Sequence, residues 1–81
     1  MIYPSQIRAA RGMLDISQQE LARRAEVGLA TVRRIENRAE DLRVTVQVLM
    51  RIQRALESAG IIFIDQDGRT GPGVRLRQPL P

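Results

Sequence analysis

The sequence contains no cysteine, no histidine and no tryptophan, and Tyr3 and Phe63 are its only aromatic residues. Those absences exclude disulfides, thiolate or imidazole metal sites, and catalysis by a nucleophile–histidine pair. No apolar run approaches the roughly 20 residues that a membrane-crossing helix needs. The opening Met1-Ile2-Tyr3-Pro4-Ser5 has neither the basic start nor the apolar centre of a secretion signal. At 81 residues one small domain is expected, with a single core and little stability to spare. Carboxylates alone would have to supply any active site, and a chain this short leaves little room for a substrate pocket. The expectation is a soluble, cytoplasmic, non-enzymatic protein with no metal, no cofactor and no membrane association.

Lysine is missing too, so all thirteen basic residues are arginine; against nine acidic residues they leave a net charge of +4. Residues 1–38 hold seven arginines, at 8, 11, 23, 24, 33, 34 and 38, against four acids at 15, 20, 26 and 36. Residues 39–60 balance, and the last stretch is nearly balanced. The positive field therefore lies mainly in the first half, as it would if that half faced a polyanion. A solvated basic surface would carry the same charge, so the residue pattern has to decide.

Pro4-Ser5 opens a helix in which Ile7, Ala10 and Leu14 recur at helical spacing until Asp15 breaks the pattern. Ser17-Gln18-Gln19-Glu20 is a capping box, in which the Ser17 hydroxyl takes the Glu20 amide and the Glu20 carboxylate takes the Ser17 amide. Leu21, Ala22 and Ala25 form the buried stripe of this second helix. Glu26-Val27-Gly28 is long enough only for a tight turn. Leu29 to Asn37 is a third helix, with Val32 and Ile35 inward and Thr31, Arg33, Arg34 and Arg38 outward. Asn37 to Val44 has no period and reads as a loop. Thr45 then caps the longest helix, whose Val48, Leu49, Ile52, Leu56 and Ala59 share a face, and Gly60 stands where a left-handed cap belongs. No internal repeat is present. Ile61-Ile62-Phe63-Ile64 is a β-branched and aromatic run that predicts a strand. Val74 to Arg77 alternates apolar and basic, and the turn signals between 66 and 73 join the two runs into a hairpin. Gln78 to Pro81 is expected to fray.

A short helix, a tight turn and a second short helix make the helix-turn-helix geometry, whose second helix enters the DNA major groove. From Ile7 to about Ala59 the chain resembles the lambda-repressor-like, Cro/cI-type (XRE) family of transcriptional regulators. The residues that carry the resemblance are Arg11, Ser17-Gln18-Gln19-Glu20-Leu21-Ala22, Val27, Val32 and Arg34-Ile35-Glu36-Asn37. The resemblance implies a mainly α fold: a four-helix lambda-repressor-like helix-turn-helix domain, here with a C-terminal β-strand or hairpin tail. It implies base readout in double-stranded DNA by Leu29, Ala30, Thr31, Arg33 and Arg34. It also implies phosphate contact by Asn37 and a buried structural ion pair between Arg11 and Glu36. Physical reasons accompany these roles. An arginine fork can donate to O6 and N7 of guanine together, which favours Arg34 and then Arg33, with phosphate-only contact as the alternative. Gln18 opens the second helix, where its amide and nearby backbone N–H groups can hold a phosphate against the positive helix end, with a solvated first-turn glutamine as the alternative. Arg38 and Arg43, in the loop, add further phosphate contacts or remain solvated charges.

Two positions depart from the family pattern. Gly28 stands where a serine or threonine usually caps the third helix, which weakens that cap by a few tenths of a kcal/mol. Arg38 replaces a glycine, so the loop beyond is expected to follow a different path. The tail shows a further problem, because Ile61–Ile64 is apolar on both faces and an edge strand in water tolerates that badly. Either Val74 and Leu76 fold back within the chain, or a second copy of the strand covers the first. The chain accordingly divides into residues 1–60, a DNA-binding domain, and residues 61–81, a hairpin tail. Dimerisation through that tail is expected to use Ile61, Ile62, Phe63, Ile64, Val74 and Leu76. The sequence as a whole looks like small stand-alone bacterial regulators of this class: a repressor binding a palindromic operator as a homodimer. The alternative is an antitoxin that autoregulates its operon, whose partner would be a toxin or another regulatory protein.

Overall fold

In the computed structural model, which describes residues 2–37 and 45–81, four helices are followed by a two-stranded antiparallel hairpin. The helices are α1 (Pro4–Leu14), α2 (Gln18–Ala25), α3 (Leu29–Asn37) and α4 (Val46–Ser58), and the strands are β1 (Ile61–Ile64) and β2 (Gly73–Leu76). The mainly α architecture with a terminal hairpin is the one the residue pattern implied. The loop between α3 and α4, with Arg38 and Arg43, lies outside the described residues.

Local chemistry sets the helix ends. Pro4 occupies the first turn of α1, where its missing N–H costs nothing. Asp15 and Glu26 take up left-handed backbone, both with φ of 56°, and stop α1 and α2. Ser17 Oγ accepts from the Glu20 amide at 3.0 Å, and Thr45 Oγ1 accepts from the Val48 amide at 3.2 Å. The reciprocal half of the expected capping box does not form. The Glu20 carboxylate turns away from Ser17 and accepts from Arg23 and Arg24 instead, because two charged donors one turn along outcompete a single neutral amide. The reciprocal arrangement occurs at α1, where Gln6 Oε1 accepts from the Tyr3 amide at 2.8 Å.

Each amphipathic stripe faces one common core. Ile7 and Ala10 of α1, Leu21, Ala22 and Ala25 of α2, Val32 and Ile35 of α3, and Leu49, Ile52 and Leu56 of α4 are buried together. Burying each of the larger side chains contributes about 1.5–3 kcal/mol against chain entropy. Ile61 of the hairpin belongs to the same buried cluster, as does Ile2 from the N-terminal segment, a residue the periodicity did not place in the core. Gly60, with φ of 110°, turns the chain from α4 directly into β1.

The hairpin pairs Ile61 with Leu76, Ile62 with Arg75, Phe63 with Val74 and Ile64 with Gly73. Its second strand therefore starts one residue earlier than the alternating pattern predicted, at Gly73, and ends at Leu76. Of the six tail residues expected at a dimer contact, Ile61 is buried in the chain's own core. Phe63, Val74 and Leu76 pack against that core, and only Ile62 and Ile64 point outward. Buried Gln6 ties the hairpin to α1: its Nε2 donates to Gly73 O at 2.9 Å and Ile64 O at 3.2 Å. Asp67 closes the loop by accepting from the Arg69 and Thr70 amides at 2.7 Å each, and those bonds hold its carboxyl below the usual carboxylate range.

Candidate nucleic-acid interface

The turn Glu26-Val27-Gly28 delivers the chain from α2 to α3, and Gly28 O accepts from the Thr31 and Val32 amides at 3.1 and 3.2 Å. Gly28 thus fills the cap position of α3 without a side chain to contribute, so this helix starts on backbone bonds alone.

Alternation along α3 then divides its faces. Val32, Ile35 and Glu36 are buried, while Ala30, Arg33, Arg34 and Asn37 are exposed. Those four stand at steps of three, four and seven residues, which places them on one side of the helix. Thr31 is half-buried at the margin. Leu29 is half-buried and packs against the core, so it offers less outward surface than its place in the helix suggested. Among the described residues Arg33 and Arg34 take part in no ion pair, whereas Arg23 and Arg24 on α2 are held by Glu20. Among the described residues, the guanidinium groups of the helix-turn-helix unit with no acidic partner are therefore those on α3.

Glu36 organises the back of that helix. Arg11 Nε and Nη2 donate to its two carboxylate oxygens at 2.7 Å each, a fork-on-fork pair with the Glu36 side chain 2% exposed. The same guanidinium donates through Nη1 to Ile16 O at 3.1 Å, which binds the α1–α2 connection into the arrangement. Hydrogen bonding to Glu36 raises the Arg11 pKa, outweighing the opposing effect of burial. Gln18 Nε2 donates to Glu36 Oε1 at 3.1 Å, and Arg8 donates to the Glu36 carbonyl at the C-terminal end of α3. One buried carboxylate and its own backbone therefore join α1, the first residue of α2 and the last turn of α3.

The network also fixes how Gln18 presents itself. A carboxylate only accepts, so the amide must turn its nitrogen toward Glu36, leaving one N–H of that nitrogen available for another acceptor. Asn37 is the last residue of α3 and is exposed beside this cluster. Arg8 was not among the residues singled out from the sequence, although its signal was there: it precedes Arg11 by three residues and shares its helix face. Gln6 carried no such signal, because its partners lie 58 and 67 residues away.

Among the described residues no cluster of acidic side chains could hold a metal ion, and no helix is long and apolar enough to cross a membrane. The family model described as helix-turn-helix matches residues 7–59, a span that stops one residue before the glycine leading into the hairpin. No curated protein matches the chain.

Proposed function

The chain belongs to the Cro/cI-type helix-turn-helix family of DNA-binding transcriptional regulators, and from that premise we propose that it is a sequence-specific repressor. It binds a palindromic operator in double-stranded DNA as a homodimer. The observation that carries this reading is the outward face of α3, with two arginines that make no ion pair among the described residues, braced from behind by the Glu36 network. On this reading α3 lies in the major groove. Arg34 and Arg33 donate to guanine edges, and Ala30 and Thr31 meet thymine methyl groups. Gln18 at the start of α2, Asn37, and the loop residues Arg38 and Arg43 hold phosphates, which set position and supply most of the affinity. Two copies place their reading helices about 34 Å apart, one turn of the duplex, so each reads one half of an inverted repeat. Occupying such a site blocks polymerase, and the protein's own concentration sets occupancy.

The experiment is crosslinking of the tagged protein to the genome, with the recovered DNA sequenced and co-purified proteins identified from the same cells. A small set of sharp peaks sharing an inverted repeat is the expected result. Uniform recovery of DNA would reject specific readout. No enriched DNA together with one abundant partner protein would favour the antitoxin reading.

A further inference from the structure

We propose that the free edge of β1 pairs with β1 of a second copy, antiparallel about a two-fold axis at Phe63, and so forms a four-stranded sheet across the dimer. The inference deepens the homodimer reading given above by naming its surface and register.

The backbone points to that edge. Arg77 N donates to Gly60 O at 2.8 Å, and the strands stay in one register from there to Ile64 and Gly73. In an antiparallel ladder hydrogen-bonded pairs alternate with non-bonded ones. Bonded pairs therefore fall at Ile62/Arg75 and Ile64/Gly73, and the main-chain groups of Ile61 and Phe63 point away from β2. The sheet has only these two strands among the described residues, so that row of groups has no strand beside it.

The side chains say which edge is left open for pairing. β2 carries Arg75 and is followed by Arg77, and charge on an edge strand opposes pairing with a neighbour. β1 carries four apolar residues, with no charge and no proline. Its outward Ile62 and Ile64 are 40% and 42% exposed, and with Arg75, Leu76, Arg77 and Pro79 they line a depression of about 530 Å³.

Charge then selects the occupant's orientation. Joining two β2 edges would set arginines of the two copies on adjacent strands, about 4.8 Å apart. Joining two β1 edges separates the β2 strands by three strand spacings, about 14 Å, and keeps the arginines on the outer flanks. With the axis at Phe63, Ile62 lies directly across from the partner's Ile64, and Ile64 from the partner's Ile62. Both are non-bonded pairs, where Cα atoms approach to about 4.5 Å and side chains meet closely. The four outward isoleucines then meet as one cross-strand cluster on a single face of the sheet.

The absence of native cysteine makes the register directly testable. Ile62→Cys and Ile64→Cys chains, mixed and oxidised, should crosslink to each other rapidly, because that pair falls within disulfide range. Ile62→Cys alone should crosslink to itself much more slowly. Faster self-crosslinking of Ile62→Cys, or no crosslinking in any mixture, would overturn the register. Sedimentation of the wild type and of Ile62→Glu, with helix content followed by circular dichroism, provides the second measurement. The expected result is a dimeric wild type and a monomeric variant of unchanged helix content. A dimeric wild type with an equally dimeric Ile62→Glu would sink the β1 edge while leaving the homodimer reading intact. A monomeric wild type would sink both.

Discussion

Arg11 and Glu36 meet fork to fork across the core, through two hydrogen bonds of 2.7 Å, although 25 residues separate them in the chain. The pair joins the first helix to the last turn of the third. Removing the arginine strands a carboxylate that is almost fully buried. Arg11→Met should therefore cost about 3 kcal/mol in urea unfolding, a large share of what an 81-residue domain has. Arg11→Met combined with Glu36→Leu should cost less than Arg11→Met alone, because no charge is then left without a partner. A single substitution costing under about 1 kcal/mol would show that the carboxylate finds water or another donor instead.

Arg34 and Gln18 should fail in different ways. On the selected operator, Arg34→Ala is expected to lose about 1–3 kcal/mol and to relax preference at one base position. Gln18→Ala should weaken binding to all sequences alike. Because Gln18 is neutral, the salt dependence of affinity should stay the same, whereas losing an arginine–phosphate contact lowers that slope by about one. Equal loss on operator and random DNA for Arg34→Ala, with a reduced slope, would reassign it to phosphate.

Gly28 offers a stabilising change. A Cβ added there would meet only Thr31 Oγ1, at an ordinary 3.7 Å. Its amide neighbour, Thr31 N, sits where a capping oxygen accepts in the first turn. Gly28→Ser should add a few tenths of a kcal/mol, raising Tm by about 1–3 °C. An unchanged or lower melting temperature would mean that the serine hydroxyl does not reach the amide.

The Glu20 carboxyl, held by Arg23 and Arg24, is pushed down to about 2 from an ordinary value of 4.5. A depressed acid stabilises the folded state fully above its unfolded pKa, and that contribution fades as pH falls toward the folded value. The interaction should therefore be lost between about pH 4.5 and 2, and not near neutrality. A pH titration of the Glu20 side-chain resonance checks this. Titration near the ordinary value would show the surface pairs to be transient in water, as exposed ion pairs commonly are.

Much of the fold was legible because helix boundaries depend on neighbours in sequence. Pro4, Ser17 and Thr45 stop or start helices through atoms within four residues, and the buried stripe of α4 needs only helical spacing to be read. Glu20 shows where local reading fails even at short range. Its carboxylate had two sets of partners within reach, and relative strength decided between them. The outward face of α3 was legible for the same reason as its core face, since one period separates both. The spacing of Arg8 from Arg11 was legible, but its acceptor, a backbone carbonyl of a distant helix, was not, because carbonyls leave no mark in composition.

The sequence alone therefore determined the helix-turn-helix unit, the outward stretch containing Arg33 and Arg34, and the change of period at Ile61. It also determined that both faces of β1 are apolar. Only the tertiary structure decided which of those faces is satisfied within the chain: Ile61 and Phe63 turn inward with Val74 and Leu76, while Ile62 and Ile64 remain outside. It alone decided that Gln6 secures the hairpin and that Gln18, Arg11 and Arg8 converge on Glu36. The reason is physical. Periodicity and capping arise from interactions over a few residues, whereas burial of a particular face and convergence on one carboxylate require segments far apart in the chain to be packed together.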